Sequence, residues 1–180
     1  MGRPKGLLVD ARGVPWVRLA VTAMGDAGCQ PVVVVTGARG EDVAALVPGG
    51  VTVLHVAGWA EGMGASLRAG LTALTQLDGP RDAAVVGLVD MPDVTSAVVS
   101  RLRDSAANVF LDHPTQALAR ATYHGRPGHP VLLGRDHWAG VLEHARGDAG
   151  ARHYLLGRED VTLVEAGDLA SGMDIDLPPG

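Results

Sequence analysis

Short runs of consecutive apolar residues alternate along the chain with stretches whose apolar positions recur at helical spacing. Val32-Val33-Val34-Val35, bounded by Pro31 and Gly37, reads as a buried strand. Residues 41–46 give a short helix, and Val51-Thr52-Val53-Leu54 a second strand. After Gly64, the positions Leu67, Leu71 and Leu74 mark a helix. Residues 83–89 form an uninterrupted apolar run, as expected of a central parallel strand covered on both faces. Thr95 is placed to cap a helix carrying Val98, Val99 and Leu102. Residues 117–123 and Val131-Leu132-Leu133 flank a Gly/Pro-rich loop; helices over 136–145 and 149–156 and a strand over 161–164 follow. This order predicts an α/β protein with a doubly wound, mostly parallel sheet. Nothing in the pattern marks an internal repeat or a linker, so residues 1–180 read as one domain. Ligands of such sheets sit beyond the carboxyl ends of the strands, and motifs just after strands carry the functional weight.

Composition sharpens this picture. At 180 residues and 47% hydrophobic content the chain can bury a real core, and disorder is excluded. No apolar run approaches the roughly 20 residues of a membrane span. The single cysteine, Cys29, cannot form an internal disulfide, which fits a reducing cytoplasm, and reads as a small buried residue rather than a nucleophile. A net charge of −5 leaves no electrostatic footprint for nucleic acid. Fourteen arginines stand beside one lysine, Lys5, a position where a compact ammonium charge is either needed or has survived by chance.

Four segments carry candidate chemistry. Asp90 follows the apolar run directly, in Val89-Asp90-Met91-Pro92; there a carboxylate can hold Mg²⁺ against a phosphate, or simply make a turn. Glu61-Gly62-Met63-Gly64-Ala65-Ser66-Leu67 opens a helix, and its glycines, free N–H groups and Ser66 suit an anion or a base edge, or a flexible helix start. The dinucleotide fingerprint fails there, because its third glycine falls on Leu67. His124-Gly125-Arg126-Pro127-Gly128-His129-Pro130 gathers two imidazoles and a guanidinium, suited to an anionic ligand or to a rigid hairpin-like turn. Asp174-Ile175-Asp176 pairs two carboxylates at strand spacing, either a second metal ligand or a solvated tail. Gly147-Asp148-Ala149 reads as a helix N-cap at Asp148. Trp16, Trp59 and Trp138 read as packing residues.

In their order, Met1-Gly2-Arg3-Pro4-Lys5-Gly6, the Glu61–Leu67 segment, Leu88-Val89-Asp90-Met91-Pro92, Gly128-His129-Pro130 and Asp174-Ile175-Asp176-Leu177-Pro178 resemble MobA-like NTP transferases over nearly the whole chain. Within that family the Arg-Pro-Lys opening and the Glu-Gly-Met-Gly-Ala-Ser-Leu segment are most similar to the molybdenum cofactor cytidylyltransferases. The resemblance implies a Rossmann-like nucleotidyltransferase fold. It also implies transfer of CMP from CTP, or another nucleotide such as GTP, to the phosphate of molybdopterin cofactor, with pyrophosphate released. Lys5 and Asp90 would be catalytic, and Lys5, Gly62, Gly64 and Ser66 would bind the nucleotide. Arg126, His129 and Arg152 would face the cofactor substrate. Asp90, with Asp174 or Asp176, would hold Mg²⁺. A molybdenum hydroxylase is the implied recipient.

The chain departs from the family at its start. Family members begin with an apolar strand and a glycine-rich phosphate loop, whereas this sequence opens in the middle of that motif. The expectation is a domain lacking the family's first strand, truncated relative to the family, with Met1 an internal methionine of a longer natural protein. Two rivals follow from the same residues: a cofactor-handling chaperone that binds without turnover, and a sister transferase with a small phosphate acceptor. A nicotinamide-dependent redox role is the weakest, given Leu67.

Overall fold

The computed structural model describes residues 4–175. Among these residues six strands and six α-helices follow one another in mixed α/β order: α1 (Trp16–Asp26), β1 (Val33–Thr36), α2 (Gly40–Ala44), β2 (Thr52–His55), α3 (Met63–Gln76), β3 (Ala83–Val86), α4 (Ser96–Val109), β4 (Leu118–Tyr123), β5 (Arg126–Gly134), α5 (Trp138–His144), α6 (Arg152–Leu155) and β6 (Thr162–Glu165). β1 and β2 pair in parallel, and β4 and β6 likewise.

β5 runs antiparallel to both its neighbours, β3 and β4, where the sequence pattern expects a mostly parallel sheet. The cause is local. His124 and Gly125 both take positive φ, 52° and 77°, so two residues suffice to reverse the chain between β4 and β5. What reads in sequence as a Gly/Pro-rich loop is thus mostly strand. Glu165, at the end of β6, secures the reversal. Its carboxylate accepts the N–H groups of His124 (2.8 Å), Gly125 (3.1 Å) and Gly167 (2.8 Å) and the Thr122 hydroxyl (2.8 Å). These bonds hold its pKa down to about 2.

The β3-β5-β4-β6 sheet holds its core on two faces. Because successive strand residues point to opposite sides, Val131 and Leu133 pack with Leu71, Leu118, Trp138 and Val141, while Leu132 packs with Leu102, Ala106 and Ala119 under α4. Trp138 donates its indole N–H to the Leu133 carbonyl at 2.8 Å, as befits a packing tryptophan. Among the described residues the other sheet holds only β1 and β2. No ladder joins β1 to β3, and a cavity of about 860 Å³ lies between them. Among the described residues no helix is long and apolar enough to cross a membrane.

Two expected caps are absent as such. Thr95 stands at the N-cap of α4 without a side-chain cap bond, and Asp148 lies inside a 3-10 turn over Gly147–Ala149, three residues ahead of the Ala151 N-cap of α6. Asp148 instead abuts Gly62.

Candidate active site

β3 ends at Val86 rather than at Val89 and pairs only with β5, antiparallel, so it is not the central parallel strand expected over 83–89; Asp90 follows its end by four residues. Its Oδ2 accepts the Lys5 ammonium at 2.8 Å, both side chains being only partly exposed. Lys5 begins a 3-10 turn, Lys5–Leu7, fixed by Leu7, which packs with Val17 and Val43 and against Val34 and Val89. The other carboxylate oxygen, Asp90 Oδ1, is buried and has no hydrogen-bond partner among the described residues. A buried anionic oxygen left unpaired is costly unless something fills the place.

The C-terminal segment is brought to the same point. The Ile175 N–H donates to the Asp90 carbonyl at 2.9 Å, and Ser171 donates its N–H (2.7 Å) and its hydroxyl (2.6 Å) to Asp93 Oδ2. Asp174 is therefore carried next to Asp90, with its side chain exposed; Asp176 lies outside the described residues. Among those residues no group of three or more His, Cys, Asp or Glu side chains forms a ready metal cage.

His129 opens from β5 into the cavity between β1 and β3, which Ser66 of α3 also lines. Burial, and then the Arg120 cation, hold the imidazole down at about 4 against the opposite pull of Asp90, so it is neutral at neutral pH. Arg120, on β4, escapes the sequence analysis. It donates Nε–H to the Gly128 carbonyl at 3.0 Å, and its own pKa is lowered by burial and then by Arg152. The available signal was a lone charge inside the apolar strand Leu118-Ala119-Arg120-Ala121. Lys5, Asp90, His129, Arg120 and Arg152 thus follow one another as electrostatic neighbours. Arg126 is exposed beside the β4–β5 turn, where its backbone register is with Tyr123.

Gly62 and Gly64 have a packing reason of their own. A Cβ on Gly64 would lie 2.9 Å from the backbone of Ala145 and Arg146, and one on Gly62 would lie 2.5 Å from Gly147 and Asp148. Arg68 reinforces this contact by bonding the Ala145 carbonyl at 2.6 Å and Glu61 at 2.9 Å. The helix start is therefore pressed onto the 145–148 segment, with Ser66 one turn further on.

Comparison with known proteins adds five findings. Residues 1–161 match the MobA-like NTP transferase domain. Nicotine blue oxidoreductase of Paenarthrobacter nicotinovorans is 32% identical over 188 residues, covering 98% of this chain and 85% of that protein. Rv0371c of Mycobacterium tuberculosis H37Rv superposes with a TM-score of 0.75 at 24% identity, covering 98% of this chain and 85% of that one. The same mycobacterial protein in complex with manganese gives 0.71 over 92% of this chain and 83% of that one, again at 24% identity. A nucleotidyl transferase from Methanothermobacter thermautotroptrophicus gives 0.70 at 24% identity, over 89% of this chain and 74% of that one. The structural likenesses, all below 25% identity, speak for the fold.

Proposed function

The chain belongs to the MobA-like NTP transferase family, and on that premise we propose that it moves CMP from CTP to the phosphate of molybdopterin cofactor, releasing pyrophosphate. One observation carries the reading: Asp90 offers a buried, unpartnered carboxylate oxygen beside an ammonium group at the carboxyl end of a strand. Hard divalent cations take such oxygens, and Mg²⁺ would be held by Asp90 with Asp174 or Asp176. A divalent ion bound there would offset charge on a triphosphate.

The chain's own residues do the positioning. Lys5 is pre-aimed by its bond to Asp90 and supplies a compact positive charge for the phosphates as the bond to the leaving pyrophosphate lengthens. Ser66, with the backbone around Gly62 and Gly64, contacts the nucleotide. Arg120 and Arg152 present two neighbouring guanidinium groups to the acceptor's phosphate, and neutral His129 hydrogen-bonds the acceptor without adding charge. Arg126, at the hairpin turn, meets the outer part of that substrate. Such transfer needs orientation and charge stabilisation rather than a protein nucleophile.

Calorimetric titration with CTP, then GTP, in Mg²⁺ or Mn²⁺ and again with chelator tests the reading, followed by pyrophosphate release with molybdopterin cofactor. Expected are metal-dependent CTP binding and turnover that Asp90→Asn abolishes. Binding of the cofactor without pyrophosphate would leave a chaperone instead. The relative that is 32% identical over 98% of this chain favours a second reading, an oxidoreductase acting on nicotine blue. Consumption of nicotine blue with a reduced nicotinamide as donor, and no pyrophosphate from any nucleotide, would replace the first reading with it.

A further inference from the structure

The pairing of β4 with β5 slips at one place. Arg120 pairs with Val131 and Thr122 with Pro127, so residues 128–130 of β5 face the single residue Ala121 of β4. A bulge of this kind interrupts the ladder and re-aims a side chain. Here it carries His129, which lines the cavity. Pro130 has no N–H to leave unpaired. The carbonyls of Gly128 and His129 take their donors from side chains of β4. Arg120 donates its Nε–H to the first at 3.0 Å, and the Tyr123 hydroxyl donates to the second at 2.6 Å.

Tyr123 reaches further than the bulge. Its side chain is buried, and burial, with Asp93 and Glu165, pushes the phenol up to about 12, so the hydroxyl keeps its proton. Two glycines lie against the ring, and neither leaves room for a Cβ. One on Gly128 would come within 2.8 Å of the ring, and one on Gly172 closer still. Gly128 immediately precedes His129; Gly172, at a φ of 69°, stands two residues ahead of Asp174. The ring also packs in one cluster with Met91, the residue after Asp90. The segments bearing Asp90, His129 and Asp174 therefore meet at one buried side chain. Packing alone would be served by phenylalanine. Among the described residues the hydroxyl bonds only the His129 carbonyl.

We propose that Tyr123 is a positioning residue of the candidate site: its hydroxyl fixes His129 on the bulge and its ring seats the Asp174 segment, so that both keep one spacing about Asp90. What the two groups hold at that spacing, an acceptor and a metal ion, rests on the transferase reading; the coupling of the two segments does not.

The test uses the full chain carrying Tyr123→Phe, which loses only the hydroxyl, or Gly172→Ala, which alters only the 171–175 segment. Two readouts are taken on each. One is the imidazole resonances of His129, assigned by their loss in His129→Gln. The other is exchange of the Ile175 amide, which is bonded to the Asp90 carbonyl. Tyr123→Phe should shift His129 and also speed Ile175 exchange about tenfold, although the lost bond is not to that segment. Gly172→Ala should likewise change both. In turnover with CTP and molybdopterin cofactor, Tyr123→Phe should raise the KM for the cofactor about tenfold and leave kcat within about twofold. A general loosening of the fold would instead lower kcat with KM unchanged. A shift at His129 alone in Tyr123→Phe, or a change at Ile175 alone in Gly172→Ala, would overturn the proposal. Should Gly172→Ala fail to fold, Tyr123→Phe decides by the same two readouts. Coupled changes in a protein that releases no pyrophosphate from any nucleotide would sink the transferase reading and leave Tyr123 in its role. Turnover with a KM unmoved by Tyr123→Phe would do the opposite.

Discussion

The two sheets differ in how each is completed. In the four-stranded sheet, Leu118, Ala119 and Leu133 are wholly buried, and helices cover both faces. In the two-stranded sheet, Val33, Val34 and Val35 are only half-buried and Val53 is 37% exposed, although the sequence is just as apolar. Burial therefore follows the number of neighbours rather than the composition of a strand. A valine run between two paired strands is core, and the same run beside the cavity is a wall. α3 spans the break, touching Val35 through Gly70 while its start is pressed onto Ala145.

The largest effect is expected in the completed half. Leu133→Ala removes a wholly buried side chain and should cost about 3–5 kcal/mol in urea unfolding, close to abolishing the fold. A cost below about 1 kcal/mol would mean that this sheet is as loose as the other. Next comes the joint. Gly64→Ala would ordinarily help a helix, but here the methyl meets backbone at 2.9 Å, and a net loss of about 1–3 kcal/mol should appear. Stabilisation would show that α3 is not pressed onto residues 145–148. In the two-stranded sheet, Val35→Ala should cost only about 1 kcal/mol, since Val35 is half-buried and lines the cavity. A value matching Leu133→Ala would erase the contrast between the sheets.

The smallest effect at neutral pH is read as a slope. Glu165 has a folded-state pKa of about 2, below its ordinary value of 4.5, so the stability it contributes is present above pH 4.5 and lost as the pH falls toward 2. Glu165→Gln should be less stable than the parent at pH 6 and should lose less on acidification over that window. Parallel stability curves for the two proteins would show that the carboxylate does not hold the β4–β5 turn.

Most strands were legible because valine and leucine runs bounded by glycine or proline have few other uses, and Asp90 was legible because it ends such a run. The antiparallel course of β5 was not, since a reversal in two residues depends on positive φ at His124, a residue that tolerates it without advertising it. Arg120 was hidden for a different reason. One charge in a strand is read as solvent-facing by default, and only the packing of β4 between β5 and β6 makes it half-buried. The contact of Gly62 and Gly64 with residues 145–148 links segments some 80 positions apart, and no local spacing reports it. The grouping of Lys5 with Asp90 came from the family resemblance rather than from periodicity.

The clasp of Ser171 on Asp93 has a consequence for whatever reaches Asp90. With Ser171 held at both its N–H and its hydroxyl, the chain to residue 174 is a three-residue tether anchored beside the carboxylate. A carboxylate on so short a leash is present at high effective concentration, whereas on a free tail it would be dilute. Any affinity that Asp174 would lend to the site is therefore set partly by Ser171 on one side of it and by the bond of the Ile175 N–H to the Asp90 carbonyl on the other. Only the loss of both anchors would dilute that carboxylate, with every residue of the segment still in the chain.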